Sequence, residues 1–541
     1  MKNLFLIIRS FLLAAPIILT YSCADLDENP KGQLAKDNFF NSENDLDLAL
    51  NGMYSILSQD MYANNGVGFD AVAGDDITTH PASNKQGIRE VDTYNVSDNN
   101  TWVDELWRCR WRLIKSCNFI IDNAAKTKNA SQEKIDQTLG QAYYWRAYSY
   151  FYLVMDWGKL PIITEDAVSF DVPLSSVKDV FDLIVSDLQK AEQMVPVYYD
   201  KEPYFQNGVN VAVGQAAVKA TLSYVYMSMA GWPLNLGAEY YRKAAKKAKE
   251  VIDGVDNGTY HYSLLDNYAD VYSYKYNHDN PELLLGIYYN RSVDAFQNST
   301  LCDFLQDMAY GGGWDDTHGE IKFWKDFPDG PRKEATYFPK IILMSEASKK
   351  KLRDWWEDPD PNSPRTVVAP CFMKTQEGAE RGMEFDYRNP AAINQEGEKT
   401  HQVIRLSEVY CWYAEAVGRS GSGDITDAVR VLNLVRNRAD GTESNIYSTS
   451  MSHEELAEAA YNEHGWEIAG YYWGNIATRA RDMFRMYRIK GHFEYRKQNP
   501  QIEVAPGVFR NETVPVTGVW DDSKMYLKYP ARDADINNNL N

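Results

Sequence analysis

Two stretches of this chain set small residues beside bulky ones at helical spacing on either side of a Gly-containing break. This pattern constrains the architecture more than any other feature. In residues 214 to 253, Ala216, Ala217, Ala220, Leu222 and Tyr226 fall on one helix. Gly231-Trp232-Pro233 makes the turn, and Tyr240, Ala244, Ala248 and Ile252 stripe a second helix. Residues 406 to 439 repeat the plan: Tyr410, Tyr413, Ala414 and Ala416, a Gly-rich turn over 418 to 423, then Ala428, Leu432 and Val435. Ala at a contact position lets paired helices close, while Tyr and Leu fill the space beside it. Each stretch predicts a helix–turn–helix pair.

Stacked pairs with a period near 34 are the plan of tetratricopeptide repeats, although the full repeat consensus is absent. Other stripes extend the helical reading. Leu46, Leu50, Met53 and Leu57 step by helical turns, as do Trp107, Trp111, Ile114 and Ile121, and Val177, Phe181, Ile184, Leu188 and Ala191. The segment 137 to 155 is aromatic nearly all round, which predicts a helix sandwiched between neighbours and ended by Gly158 and Pro161. Between 256 and 402 the stripes fade, and Pro, Gly, Asp and aromatic residues crowd together. Short strands are expected at 260–264 and 282–289, and a short helix around 342–356. The fold class is mainly α, a helix-pair scaffold carrying a loop-rich irregular insertion. The expected divisions are 1–22, 23–36, 37–255 (helical), 256–402 (insertion) and 403–541 (helical repeats and closing segment). Long loops on a rigid scaffold are where function usually sits.

The start of the chain reads as an address. Lys2 precedes an apolar run from Leu4 to Leu19, interrupted by Arg9-Ser10, and Thr20-Tyr21-Ser22 leads to Cys23. That is a secretory signal, too short and too broken for a membrane span. A Cys placed there is the lipid acceptor of a bacterial lipoprotein, so Cys23 is expected to anchor the mature chain, with the polar residues 24–36 as a leash. The formal charge of −20 argues against nucleic acid as a partner. Of the six cysteines, the five after Cys23 show no metal or redox spacing and read as buried thiols.

No nucleotide loop, zincin pair or GxSxG elbow is present. Asp358-Pro359-Asp360-Pro361-Asn362 opens like a calcium loop, but Ser363 and Ala369 stand at the positions that need Gly and Glu, so only a looser structural Ca²⁺ site stays open. The 37 Tyr and 14 Trp are in excess, and many sit among Gly, Asn and Asp. Amphipathic rings on polar loops suit sugar, whose C–H faces stack on aromatics while Asp, Asn and Arg bond the hydroxyls.

Several blocks together resemble the SusD/RagB family. They are Cys23 to Pro30, Asn38-Phe39-Phe40, Asp45 to Tyr54, Ser97 to Asn100 leading to Trp107, Arg146-Ala147-Tyr148 through Trp157-Gly158-Lys159-Leu160-Pro161, and Ile404 to Tyr410 with Leu432 to Ala439. The resemblance is looser after Glu463 and at Tyr529 to Leu540. It implies a non-catalytic, lipid-anchored protein on the outer face of the outer membrane. Such a protein captures oligosaccharide for a SusC-like TonB-dependent transporter, with the helical side toward the transporter and the loop side toward the glycan. A structural or peptide-capturing lid on the same scaffold is the alternative. The ligand is expected at two loop clusters: Tyr94 with Asp98 and Asn99, joined by Asp75, Asp76 and Arg89, and Tyr310 with Trp314. Three glycines before Trp314 leave little bulk to bury it, and Asp315-Asp316 follow; alternatively it folds back to close its own loop. Trp107 and Trp111, on a helical stripe, are expected in the core.

Overall fold

The computed structural model describes residues 39–57, 72–81, 85–166, 170–289, 316–341, 353–357, 367–374, 399–470, 475–512 and 514–540. Helices start where the sequence supplies a cap. At α1 (Glu43–Ser55) the Ser42 N–H donates to the Asp45 carboxylate at 2.9 Å. After the short α2 (Gln86–Asp92), the Asn100 carboxamide accepts the first free N–H groups of α3 (Thr101–Asn123), from Trp102 at 3.0 Å and Val103 at 3.2 Å. Ser131 caps α4 (Gln132–Trp157), and Ser176 caps α5 (Val177–Met194). Gly158, at φ +76°, takes the left-handed turn that ends α4.

The expected pairs form. α6 (Gln215–Ala230) packs on α7 (Ala238–Asp256), and α10 (Leu406–Ser420) on α11 (Ile425–Asp440) and α12 (His453–Ile468). Neighbouring helices touch in the order α3, α4, α5, α6, α7, α10. The contact of α7 with α10 continues the stack although residues 257 to 405 lie between them in sequence. The protein is a mainly α, tetratricopeptide-like stack.

Several small two-stranded antiparallel sheets tie the intervening chain down. β1 (Ile77–Thr79) pairs with β7 (Thr317–Gly319), Ile77 opposite Gly319. β6 (Leu283–Ile287) pairs with β8 (His401–Arg405), so the segment leaves and returns to the helices at one place. Two-residue strands make β2 (Leu160–Pro161) with β3 (Leu174–Ser175) and the hairpin β4 (Phe205–Gln206) with β5 (Val209–Asn210). The short helices α8 (Ile321–Asp326) and α9 (Pro331–Thr336) follow β7. Towards the C-terminus come α13 (Arg479–Arg485), α14 (Ile489–Gln498) and the hairpin β9 (Gln501–Ala505) with β10 (Val508–Asn511).

Two expectations need correction or narrowing. The strand expected at 282–289 exists as β6, but 260–264 is not a strand. The Tyr260 ring lies so close to Gly254 that a Cβ there would meet it at 2.2 Å, and the Tyr260 N–H bonds the Gly254 carbonyl at 2.8 Å. Packing against α7 replaces a ladder partner. Of 342–356, residues 342–352 lie outside the described residues, and Trp355–Glu357 is a single 3-10 turn.

Two chemistries close the core. α4 is buried on nearly all sides, with Tyr144, Trp145, Tyr148 and Tyr152 in series; the Trp145 ring meets Tyr144 and Tyr148 edge-on, each at 5.1 Å. Arg146, on the same helix, forks onto Asp187 of α5 at 2.7 and 2.8 Å and reaches Asn118 of α3 at 2.9 Å. Around α12 the ties are ionic. Arg405 bonds Glu282 at 2.9 Å and Glu467 at 2.8 Å. Arg438 bonds the same two carboxylates, and Arg332 bonds Glu463 at 2.6 Å and Glu467 at 3.1 Å. All six residues are buried. Burial works against ionisation of Glu467, but Arg438, Arg405 and Arg332 hold it well below the ordinary carboxylate range. Nearby, Arg485 forks onto Glu415 at 2.9 and 2.6 Å and bonds Asp482. Among the described residues, no helix is long and apolar enough to cross a membrane, and the described Cys109, Cys117, Cys371 and Cys411 are buried.

Candidate ligand-binding cleft

The α2–α3 turn is shaped by one carboxylate. Glu90 accepts from the Ser97 N–H at 3.0 Å, the Ser97 hydroxyl at 2.9 Å and the Asn100 carboxamide at 2.9 Å. Tyr94 turns left-handed, at φ +55°. Its ring packs edge-on to Phe493 and Trp520, and its hydroxyl donates to the Ala73 carbonyl at 2.9 Å. With the turn fixed, Asp98 and Asn99 project as an exposed pair, the Asn99 amide donating to the Asp98 carboxylate at 3.0 Å.

This turn forms one wall of a cleft of about 760 Å³. The end of α4 gives Trp157, α13 gives Arg481, and the closing segment gives Lys524, Tyr526 and Tyr529. The closing segment is held by backbone contacts: Trp157 Nε1 donates to the Lys528 carbonyl at 2.9 Å, Lys524 Nζ to the Tyr94 carbonyl at 2.8 Å, and the Ala531 N–H to the Asp98 carbonyl at 3.1 Å. Rings and both signs of charge therefore face one space, the mixture that holds a hydroxyl-rich ligand flat against an aromatic surface.

The sequence-predicted residues separate here. Asp98 and Tyr94 line the cleft, and Asn99 adjoins it. Asp75 and Asp76 do not meet them. Asp75 is forked by Arg479 at 2.6 and 3.0 Å, and this guanidinium holds it ionised against the pull of burial. Asp76 is buried and accepts the Gly470 N–H at 2.8 Å; burial pushes its carboxyl up to about 7. Both tie the start of β1 to the α12–α13 region, away from the exposed Asp98–Asn99 pair. Tyr94 holds its turn through its hydroxyl and offers only ring surface. Arg89 sits on α2 and donates to the Pro81 carbonyl at 3.2 Å. Tyr310, Trp314 and Cys23 lie outside the described residues, as does most of the calcium-like stretch (358–366). Among the described residues, no group of three or more His, Cys, Asp or Glu is placed to hold a metal. Trp107 is core, packed edge-on to Trp157 at 5.1 Å, with Trp111 partly buried beside it. The closing segment's share in the cleft carries no local sequence signal: Lys524 and Tyr526 look like any surface residues until they meet the α2–α3 turn.

A family model described as starch-binding associating with outer membrane matches residues 26–227, and the SusD family model matches residues 372–541. The chain belongs to the SusD/RagB family. Among curated SusD relatives, a SusD-like protein of Formosa agariphila is 23% identical over 473 residues, covering 84% of this chain and 86% of its own. A SusD-like protein of Bacteroides ovatus is 24% identical, covering 87% and 82%. Solved structures share the fold. A SusD homolog from Bacteroides thetaiotaomicron superposes with a TM-score of 0.74 at 16% identity, covering 95% of this chain and 99% of that one. A structure solved with xylogluco-oligosaccharide superposes at 0.67 and 20% identity, covering 91% and 98%.

Proposed function

We propose that this SusD/RagB protein is a non-catalytic glycan-binding lipoprotein. Cys23 carries the acyl chains that hold it on the outer face of the outer membrane, where it captures oligosaccharide and passes it to a SusC-type TonB-dependent transporter. The observation that carries this reading is the cleft in which the exposed Asp98–Asn99 pair and the partly exposed Tyr526 and Tyr529 come together. Rings supply a stacking surface and the acid–amide pair bonds vicinal hydroxyls, the two requirements of a sugar ring. The family description and the xylogluco-oligosaccharide bound to a protein of the same fold point the same way. Arg89, Tyr310 and Trp314 belong to the ligand face in this proposal, and Asp75 and Asp76 support it from behind.

Affinity electrophoresis through gels of xyloglucan, starch and other neutral polysaccharides tests the binding. Retardation by at least one, with no sugar released on prolonged incubation, is the expected result. Shortened oligosaccharides in that incubation sink the non-catalytic reading, and retention by peptides with no polysaccharide retarding the protein supports the peptide-capturing lid. For the anchor, Cys23→Ala is expected to leave the protein in the soluble fraction of cells lacking the transporter; continued membrane fractionation contradicts it.

A further inference from the structure

A second cleft, of about 630 Å³, lies where α1, α4, the β4–β5 hairpin and β6 meet. It shares no lining residue with the first. α4 contributes to both, through Trp145 here and Trp157 there, twelve residues and roughly 18 Å apart along the helix. Its described lining holds no Asp, Glu, Lys or Arg, whereas the first cleft carries both signs of charge. Trp145 lies at its base, edge-on to Tyr54 at 6.2 Å, and the Tyr54 hydroxyl is held by Gln141 at 2.5 Å. Tyr288, just past the end of β6, supplies another ring. Exposed carboxamides rim the space, Asn51 from α1 and Asn207 from the hairpin tip. Asn207 and Gly208 both take positive φ, +51° and +86°, which makes the tip a stiff two-residue turn. Two further polar atoms stand ready: the Tyr288 hydroxyl and His278 Nε2 are shielded from solvent and have no hydrogen-bond partner among the described residues. Buried polar groups are normally paired, so unpaired ones lining a cleft mark where a partner arrives.

We infer that this is a second saccharide subsite, selective for uncharged sugar units. The inference rests on the glycan reading above. Rings without charges favour an uncharged, hydroxyl-bearing ligand, because an anionic sugar would give up its hydration without meeting a cation. His278 and Asn207 also line an adjoining space of about 260 Å³ with Tyr274, Lys275, Asn277 and Asp279. A chain of sugar units can extend into it, and because this space carries charge the selectivity for uncharged units is confined to the cleft itself.

Calorimetry with a xylogluco-oligosaccharide and with maltoheptaose tests it, using the full mature chain, the pair Asn207→Ala with Tyr288→Phe, and Asp98→Ala. Either probe is expected to give two sites in the parent chain. The paired variant should lose one site, or weaken it at least tenfold, while the other site and the melting temperature hold. Asp98→Ala should weaken only the other site. An acidic probe, oligogalacturonate, is expected to bind the second site at least tenfold more weakly than the neutral ones. A paired variant that keeps every site of the parent with both neutral probes overturns the subsite, as does a parent in which neither probe reports a site that this variant removes. A parent that shows the site removed by the paired variant but no site weakened by Asp98→Ala would instead count against the first cleft. A paired variant that melts early is replaced by His278→Ala, judged by the same criterion.

Discussion

Around α4 the helices are held by rings, and around α12 by charges. Trp145, Tyr144 and Tyr148 meet edge-on inside the first region, with the Arg146–Asp187 fork beside them. In the second, the buried Arg332, Arg405 and Arg438 converge on the buried Glu282, Glu463 and Glu467. The difference sets how each region answers to pH. Ring packing is indifferent to protons, while the ionic cluster is stable only as long as its carboxylates stay ionised. It also sets what each region tolerates. A ring replaced by a smaller apolar group leaves a cavity, but an ion removed from a buried cluster leaves its partner charged and desolvated.

The largest expected effect sharpens that contrast. Arg405→Ala should cost about 3–5 kcal/mol at neutral pH by urea unfolding, because Glu282 and Glu467 are left with less compensation. That penalty should shrink as pH falls and the carboxylates neutralise. Trp145→Ala should cost a similar 3–5 kcal/mol through the cavity it leaves, but by the same amount at pH 4 and pH 8. Two parallel pH profiles would break the comparison. In the parent chain, Glu467 is held below its ordinary value by folding, so its contribution is complete above roughly pH 4.3 and drains away as pH falls further. Protection of the α12 amides from hydrogen exchange should therefore fail before that of the α4 amides on acidification.

A second pH effect has the opposite sign. Burial pushes Asp76 up to about 7, and burial together with Glu320 does the same to Glu512. Groups whose folded value is raised stabilise in full below the ordinary carboxylate range, and the benefit is lost as pH rises through 7. The pair Asp76→Asn with Glu512→Gln should flatten this alkaline loss and gain on the order of 1–3 kcal/mol at pH 8 relative to the parent. An unchanged profile between pH 5 and 8 contradicts the assignment.

Smaller effects fall on the ligand face. Trp314→Ala should weaken glycan binding by on the order of 1–3 kcal/mol with little change in melting temperature; a collapsed melting temperature moves Trp314 into the scaffold. Asp98→Ala, at an exposed turn, should lower affinity about tenfold, roughly 1.4 kcal/mol, and leave unfolding untouched.

The ring-held region was legible because its signal is local. The stripes over α1, α3, α5, α6 and α7 and the all-round aromatics of α4 need no distant partner to be recognised. The ionic region was not. Glu282, Arg332, Arg405, Arg438 and Glu467 are scattered along the chain, and each alone looks like an ordinary surface charge. The same blindness explains Asp75 and Asp76, an acidic pair that reads as exposed until Arg479 and the Gly470 N–H arrive from the far end of the chain. β1 and β7 are three residues each and far apart in sequence, too short to carry a periodic signal. The proposed site was suggested in the sequence at Asp98 and Asn99, which lie within a recognisable family block, Ser97 to Asn100. It was illegible at Lys524, Tyr526 and Tyr529, which join it only through the fold.

The most direct test of the central claim is calorimetry of the purified mature chain with xylogluco-oligosaccharide and maltoheptaose, with the sugar recovered and sized afterwards. Saturable binding of at least one, weakened by Asp98→Ala, with the sugar returned at its original length, is the predicted result. Sugar returned shortened, or affinity indifferent to Asp98→Ala, contradicts a non-catalytic glycan site at the α2–α3 turn.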